Sequence, residues 1–202
     1  GWFNKEINSL KDLDGLKMRI PGLGGEVLQR AGGTPVTLPG AELFTALQTG
    51  AIDATEWVGP YNDLAFGLYK AAKYYYYPGW HEPGSMMEYT VNKTAFEALP
   101  KDLQAIVRVA SRAANQDMLD EFTSRNNKAL QELINKHGVD VRAYPGDVLQ
   151  KLKGLSYEVL EELAAKDPMS KKVYESFKVY RDNVVEYHKI SEQVYLHARR
   201  QP

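Results

Sequence analysis

Three charged side chains and one indole in this sequence have the types and the settings to hold a small charged molecule. Arg19 closes the short extended run LKMRI and is followed at once by Pro21-Gly22 and the glycine-rich GLGGE. Glu56 and Trp57 close a second extended run, AIDATEW, before the chain breaks at Gly59-Pro60. Glu82 stands in GWHEPG, between Gly79 and Pro83-Gly84. An arginine offers a planar, permanently charged fork that matches a carboxylate with two parallel hydrogen bonds. A glutamate at the end of a buried strand needs a partner, because an unpaired carboxylate is costly to desolvate. Arg19 would satisfy Glu56, and so would a bound cation held by hard oxygen ligands. Two glutamates and one arginine at strand ends thus suggest a site for a carboxylate and a cation together.

The elements that must position these residues alternate between extended and helical. A strand is expected around Leu16–Ile20, then a helix over GGEVLQRAGG with Val27, Leu28 and Ala31 on one face and Gly32-Gly33 as its stop. A strand at TPVTLP, a helix at GAELFTALQTG and a strand at AIDATEW follow. This β-α-β-α-β order argues for an α/β fold with a parallel sheet. Ligands in such sheets sit outside the carboxyl ends of the strands, where Arg19, Glu56 and Trp57 fall. Further on, AFGLYKAAKYYYYPGW reads as a short helix running into an aromatic strand, Tyr74–Tyr77, packed on both faces. SMMEYTVNKTAF alternates as another strand would.

From Pro100 the pattern changes to a stripe of 3.6-residue period from Leu103 to Ile134, without Gly or Pro. It predicts a helix of about 36 residues, or about 54 Å. A short strand at VDVRAYP precedes a helical C-terminus with a break at Asp167-Pro168. The last helix, Lys171 to Arg200, carries Val173, Phe177, Tyr180, Val184, Tyr187, Ile190, Val194 and Tyr195. That apolar stripe needs cover from its own body or from a partner chain.

Bulk composition narrows the function. The chain has 202 residues and a net charge of −1, so no global field draws it to nucleic acid or to an anionic membrane. It has no cysteine, which excludes disulfides and thiolate metal sites. GLGGEV lacks the spacing of a dinucleotide fingerprint. Ser85 lies near His81, but no nucleophile elbow is present. The start, Gly1-Trp2-Phe3, has no initiator Met and reads as a processed or truncated chain with two aromatics at its surface.

These residues also carry a family resemblance. LDGLKMRIPG, GGTPVTLPGAELFTALQTGAIDATEWVGPYND, KYYYYPGWHEPG and VNKTAFEALP resemble the solute-binding proteins of TRAP transporters (DctP type), in the branch that binds 2-oxo acids and lactate with a metal cation. The resemblance runs through the chain and weakens after about Pro145. It implies a periplasmic-binding-protein-like fold of two α/β lobes, present here in part, with a long helix spanning both. Residues 1–57 would then belong to the second lobe and 58–99 would return to the first. Residues 100–145 would form the spanning helix and a strand, and 146–202 the C-terminal helices. It implies a periplasmic protein that hands its solute to a membrane permease.

By the same resemblance, Arg19 grips the substrate carboxylate, with Glu56 and Trp57 also at the substrate. Glu56, Trp57 and Glu82 would hold a sodium or calcium ion, Trp57 through its backbone carbonyl as well as its ring. Some relatives dimerise by exchanging a C-terminal helix, and members carry a preceding segment that adds ligand contacts. A chain without that segment would leave hydrophobic lobe surface exposed. Competing readings are a same-family binder of a dicarboxylate or sugar acid, a metal-dependent lyase or hydrolase using Glu56 and Glu82, and a helical interaction module.

Overall fold

The computed structural model describes residues 1–84 and 87–200. It divides into two units, Gly1–Leu152 and Lys153–Pro202.

The first unit is built on a six-stranded mixed sheet. Its strands are β1 (Trp2–Phe3), β2 (Lys17–Arg19), β3 (Thr34–Val36), β4 (Ala54–Thr55), β5 (Tyr74–Tyr77) and β6 (Asp140–Ala143), in the order β3-β2-β4-β1-β5-β6. The expected parallel set is present: β2 pairs parallel with both β3 and β4, and β5 with β6. β1, which the sequence pattern does not reveal, lies antiparallel between β4 and β5. Two reversals across β1 leave β5 running the same way as β2 and β4. The carboxyl ends of β2, β4 and β5 therefore share one edge of the sheet.

Trp2 and Phe3 are not surface aromatics. Both are fully buried in the middle of the sheet. Trp2 stacks on Tyr75 with ring centroids 4.4 Å apart, and Phe3 meets Tyr76 edge-on at 5.2 Å. Trp2 also belongs to the apolar core with Leu43, Leu47, Ile52, Leu68 and Leu133. Tyr77, by contrast, faces outward, so the tyrosine strand is packed on both faces only up to Tyr76.

The crossovers are short helices: α1 (Gly22–Arg30), α2 (Leu43–Thr49) and α3 (Pro60–Phe66). α2 ends at Gly50, whose φ of 73° is the left-handed conformation that stops a helix at least cost. The expected strand over SMMEYTVNKTAF is not seen among the described residues; Ser85 and Met86 lie outside them. Instead α4 (Lys93–Glu97) forms, because the Asn92 side chain accepts from the Ala95 N–H at 2.9 Å and caps a helix. α5 (Lys101–Asn135) is a single helix of 35 residues. Only the end of its stripe is buried, at Ala129 and Leu133, whereas Ile106 and Leu119 stay exposed. The first half of α5 and residues 87–96 line an apolar groove of about 980 Å³.

α6 (Gly146–Ala165) leads into the second unit, where α7 (Pro168–Ile190) and α8 (Glu192–Ala198) complete the described chain. Asp167 caps α7, accepting from the Met169 and Ser170 N–H groups at 2.8 and 2.9 Å. The expected continuous terminal helix breaks at Ser191. There the hydroxyl donates to the Tyr187 carbonyl at 3.0 Å and the backbone leaves helical geometry. Arg181 of α7 lies over the Tyr157 ring of α6 at 5.2 Å.

Candidate functional site

Arg19, Glu56, His81 and Glu82 meet at the shared edge of the sheet. Arg19 is the last residue of β2, and Glu56 follows β4 directly. Parallel pairing sets Arg19 opposite Thr55, and the Glu56 N–H donates to the Arg19 carbonyl at 3.3 Å, extending the ladder by one residue. Glu56 thus stands one residue past the last paired position of β4, where its side chain reaches Arg19 at the strand ends. Arg19 Nη1 donates to Glu56 Oε1 in an ion pair that is nearly buried on both sides, and Arg19 Nε donates to the Leu38 carbonyl at 3.2 Å. Of the two partners that would satisfy Glu56, the protein supplies Arg19. A fork with five donors keeps capacity for a ligand carboxylate beside that pair.

Trp57 forms one wall. Its ring lies 5.8 Å from the Arg19 guanidinium and 5.1 Å from the Phe66 ring. The space it occupies exists because residue 40 is glycine, since a Cβ there would come within 2.6 Å of the indole Cη2. The chain then turns at Gly59 into α3. Asp63, 2% exposed, holds that turn: its Oδ1 accepts from the N–H groups of Val58 at 3.2 Å and Gly59 at 3.1 Å. Its Oδ2 accepts from Trp2 Nε1 at 2.8 Å and from the Tyr75 hydroxyl at 2.9 Å. Burial pushes the Asp63 carboxyl above the usual carboxylate range, and the four donors oppose that push. The Tyr75 hydroxyl is driven upward in turn, first by its own burial and then by the charge of Asp63.

Glu82 and His81 arrive on the segment that follows β5, where the Tyr77–Pro78 peptide bond is cis. His81 Nε2 lies 3.7 Å from Glu56 Oε2. Among the described residues neither imidazole nitrogen has a hydrogen-bond partner, although both are shielded from solvent. One donor atom each from Glu56, His81 and Glu82 falls within 4.8 Å of the others. Two ligands held at about 2.4 Å from one ion lie at most about 4.8 Å apart, so the cluster is tight enough for a single cation. The donor set fits one: two carboxylates with an imidazole beside them whose nitrogens make no hydrogen bond among the described residues.

All four residues singled out from the sequence thus stand together. Three more residues share the site: His81, Asp63 and Gly40. In the sequence His81 is marked only by its nearness to Ser85, which lies outside the described residues. Asp63 carries a weak cue, an acid in the first turn of a helix opened by Gly59-Pro60. Gly40 carries none, since its contact with Trp57 is made only by the fold.

An open α/β sheet that gathers charged side chains at the carboxyl ends of its parallel strands has the arrangement of a class of binding folds. Residues 1–167 match the family of bacterial extracellular solute-binding proteins, family 7 (DctP). The chain belongs to that family, whose members are transport components rather than enzymes. It is 46% identical over 195 residues to a monocarboxylate 2-oxoacid-binding periplasmic protein of Nostoc sp., covering 96% of this chain and 53% of the relative. A TRAP periplasmic solute-binding protein of Colwellia psychrerythraea, solved with calcium and pyruvate, superposes with a TM-score of 0.93 at 45% identity. One from Pseudoalteromonas atlantica, solved with sodium and pyruvate, superposes with a TM-score of 0.91 at 44% identity. The alignments cover 98% of this chain and 60% of each solved chain. The chain thus spans about half to three fifths of the length of these relatives. Among the described residues no helix is long and apolar enough to cross a membrane.

Proposed function

We propose that this chain carries the greater part of a binding site for a small monocarboxylate, a 2-oxo or 2-hydroxy acid such as pyruvate or lactate, taken up together with a sodium or calcium ion. The observation that carries the reading is the juxtaposition of the Arg19 fork with the Glu56–His81–Glu82 donor set at one sheet edge. Arg19 takes the ligand carboxylate. Glu56 and Glu82, with the Trp57 carbonyl, take the cation, and the cation in turn neutralises the glutamates as the acid enters. The ions bound in the Colwellia and Pseudoalteromonas proteins support both cation choices.

The protein works in the periplasm and delivers its solute to the membrane subunits of a TRAP permease. In the whole protein, residues 1–57 serve the second lobe, 58–99 return to the first, and α5 spans both. The ring-bearing face of α7 and α8 supports a homodimer: Phe177, Tyr180, Tyr187, Ile190 and Tyr195 are all exposed in the single chain. Sedimentation at rising concentration tests it, and Tyr187→Asp should leave a monomer.

The binding reading is tested by thermal shift with pyruvate, lactate and dicarboxylates, each with and without sodium or calcium. A ligand at 100 times its dissociation constant adds about 2.7 kcal/mol, or about 5–10 °C for a chain of this size. A shift that needs both acid and cation supports the reading. No shift with any acid in either cation overturns it.

A further inference from the structure

We infer that Asp63, which lies behind the ligand site, is its positioning residue: it ties the Trp57–Gly59 turn to the centre of the sheet and so fixes where Trp57 stands. This rests on the ligand reading above.

The geometry is specific. The Asp63 carboxylate divides its oxygens between two tasks. Oδ1 takes both N–H groups of the turn that follows Trp57, and Oδ2 takes the Trp2 indole and the Tyr75 hydroxyl. Trp2 lies in β1 and Tyr75 in β5, stacked on each other at 4.4 Å. β1 pairs with β4, the strand that delivers Glu56 and Trp57. Asp63 therefore closes a ring from β4 through the turn to β1 and back. The backbone shares in it, for the Asp63 N–H donates to the Gly59 carbonyl at 2.9 Å. A second tether reaches the same turn from α5, where Asn126 Oδ1 accepts from the Tyr61 N–H at 2.9 Å.

Only a carboxylate meets these demands. Donors approach from both sides, and an amide has one acceptor oxygen to offer. Asp63→Asn must leave either the turn or the indole facing an N–H group, whichever way the amide is turned. The indole cannot reverse its role, because its nitrogen only donates. A buried carboxylate is an expensive way to hold a core together, since an apolar side chain would fill the space without a desolvation cost. Its position, one turn beyond the Trp57 wall, gives that cost a function in the site.

The test uses protein labelled with 5-fluorotryptophan, whose three indoles are Trp2, Trp57 and Trp80. Their fluorine resonances are assigned by single Trp→Phe changes. In Asp63→Asn the Trp57 resonance should move or broaden while that of Trp80 stays, and pyruvate in saturating calcium should bind about tenfold more weakly in protein shown to be folded. If Trp2 alone moves and the pyruvate affinity matches the parent, Asp63 is a tie within the core and the inference is overturned. If the parent binds no pyruvate, the ligand reading fails, and the Trp57 resonance by itself decides the role of Asp63. Should Asp63→Asn not fold, Tyr75→Phe removes one of the four donors. It should move the Trp57 resonance in a measurable degree, and an unmoved line overturns the inference.

Discussion

The Trp57 indole lies in the space that a side chain at position 40 would fill, with Cη2 2.6 Å and Cζ3 3.1 Å from where the Gly40 Cβ would stand. Gly40→Ala must therefore displace the ring from its place beside Arg19 and Phe66, because something has to shift at such a distance. Overpacking of this kind costs about 1–3 kcal/mol. Part of it is expected to appear as a roughly tenfold loss of ligand affinity, read by calorimetry with pyruvate and calcium. Affinity unchanged from the parent would mean that the ring position is not part of the binding surface.

The nearly buried pair of Arg19 and Glu56 makes a sharper separation between stability and binding. Arg19→Ala strands a buried carboxylate, which costs about 3–5 kcal/mol, and also removes the ligand fork, worth about 1.5–3 kcal/mol in binding. Glu56→Ala added to Arg19→Ala should restore much of the melting temperature and none of the affinity. Arg19→Lys keeps the charge without the fork, so it should bind with an affinity between those of the parent and Arg19→Ala. A double variant as unstable as Arg19→Ala would show that the pair is not what Glu56 contributes.

How much of this was legible in the sequence follows from where each contact closes. α5 declares itself because 35 residues without Gly or Pro, opened by Pro100 and closed near Gly138, need no tertiary information. Arg19 and Glu56 are legible because each closes an extended run before glycine or proline, and Glu82 because it stands between Gly79 and Pro83-Gly84 after the tyrosine run. β1 is not, since two residues have no period and their partners lie 53 and 73 positions away along the chain, at Thr55 and Tyr75. His81 reads in the sequence as an ordinary core histidine, because the shielding of its nitrogens and their lack of hydrogen bonds among the described residues arise only in the fold. The strand expected before α4 failed for a local reason: alternation in Glu88–Val91 is outcompeted by the Asn92 cap.

Asn126 tests whether α5 takes part in setting the site. Its carbonyl oxygen receives the Tyr61 N–H, one of the donors that the start of α3 leaves without an intrahelical partner. Asn126→Ala should cost about 1 kcal/mol, or about 2–4 °C in melting temperature. Asn127→Ala is the control, being exposed one residue further on. There the better helix propensity of alanine should leave stability unchanged or slightly raised. Equal losses at both positions would assign the effect to α5 itself and not to the turn.

The acid limb of stability should trace to Glu6, at the other end of the sheet. Glu6 pairs with Arg142 of β6 at 2.8 Å and accepts from the Tyr74 hydroxyl at 2.9 Å. Arg142 in turn holds Asp140 at 2.7 Å. The Arg142 guanidinium first, and then Tyr74 and Asn8, hold the Glu6 carboxyl down from 4.5 to about 2. The folded state thus keeps the carboxylate ionised while the unfolded chain takes up a proton, and below the ordinary value stability falls with pH. The contribution is complete above about pH 4.5 and disappears as the pH drops through about 2. Urea midpoints of the parent and Glu6→Gln should therefore differ at pH 6 and converge toward pH 2. Because the pair is open to solvent, 1 M salt should also shrink the gap. A difference that persists undiminished at pH 2 would show that Glu6 acts through packing and not through its charge.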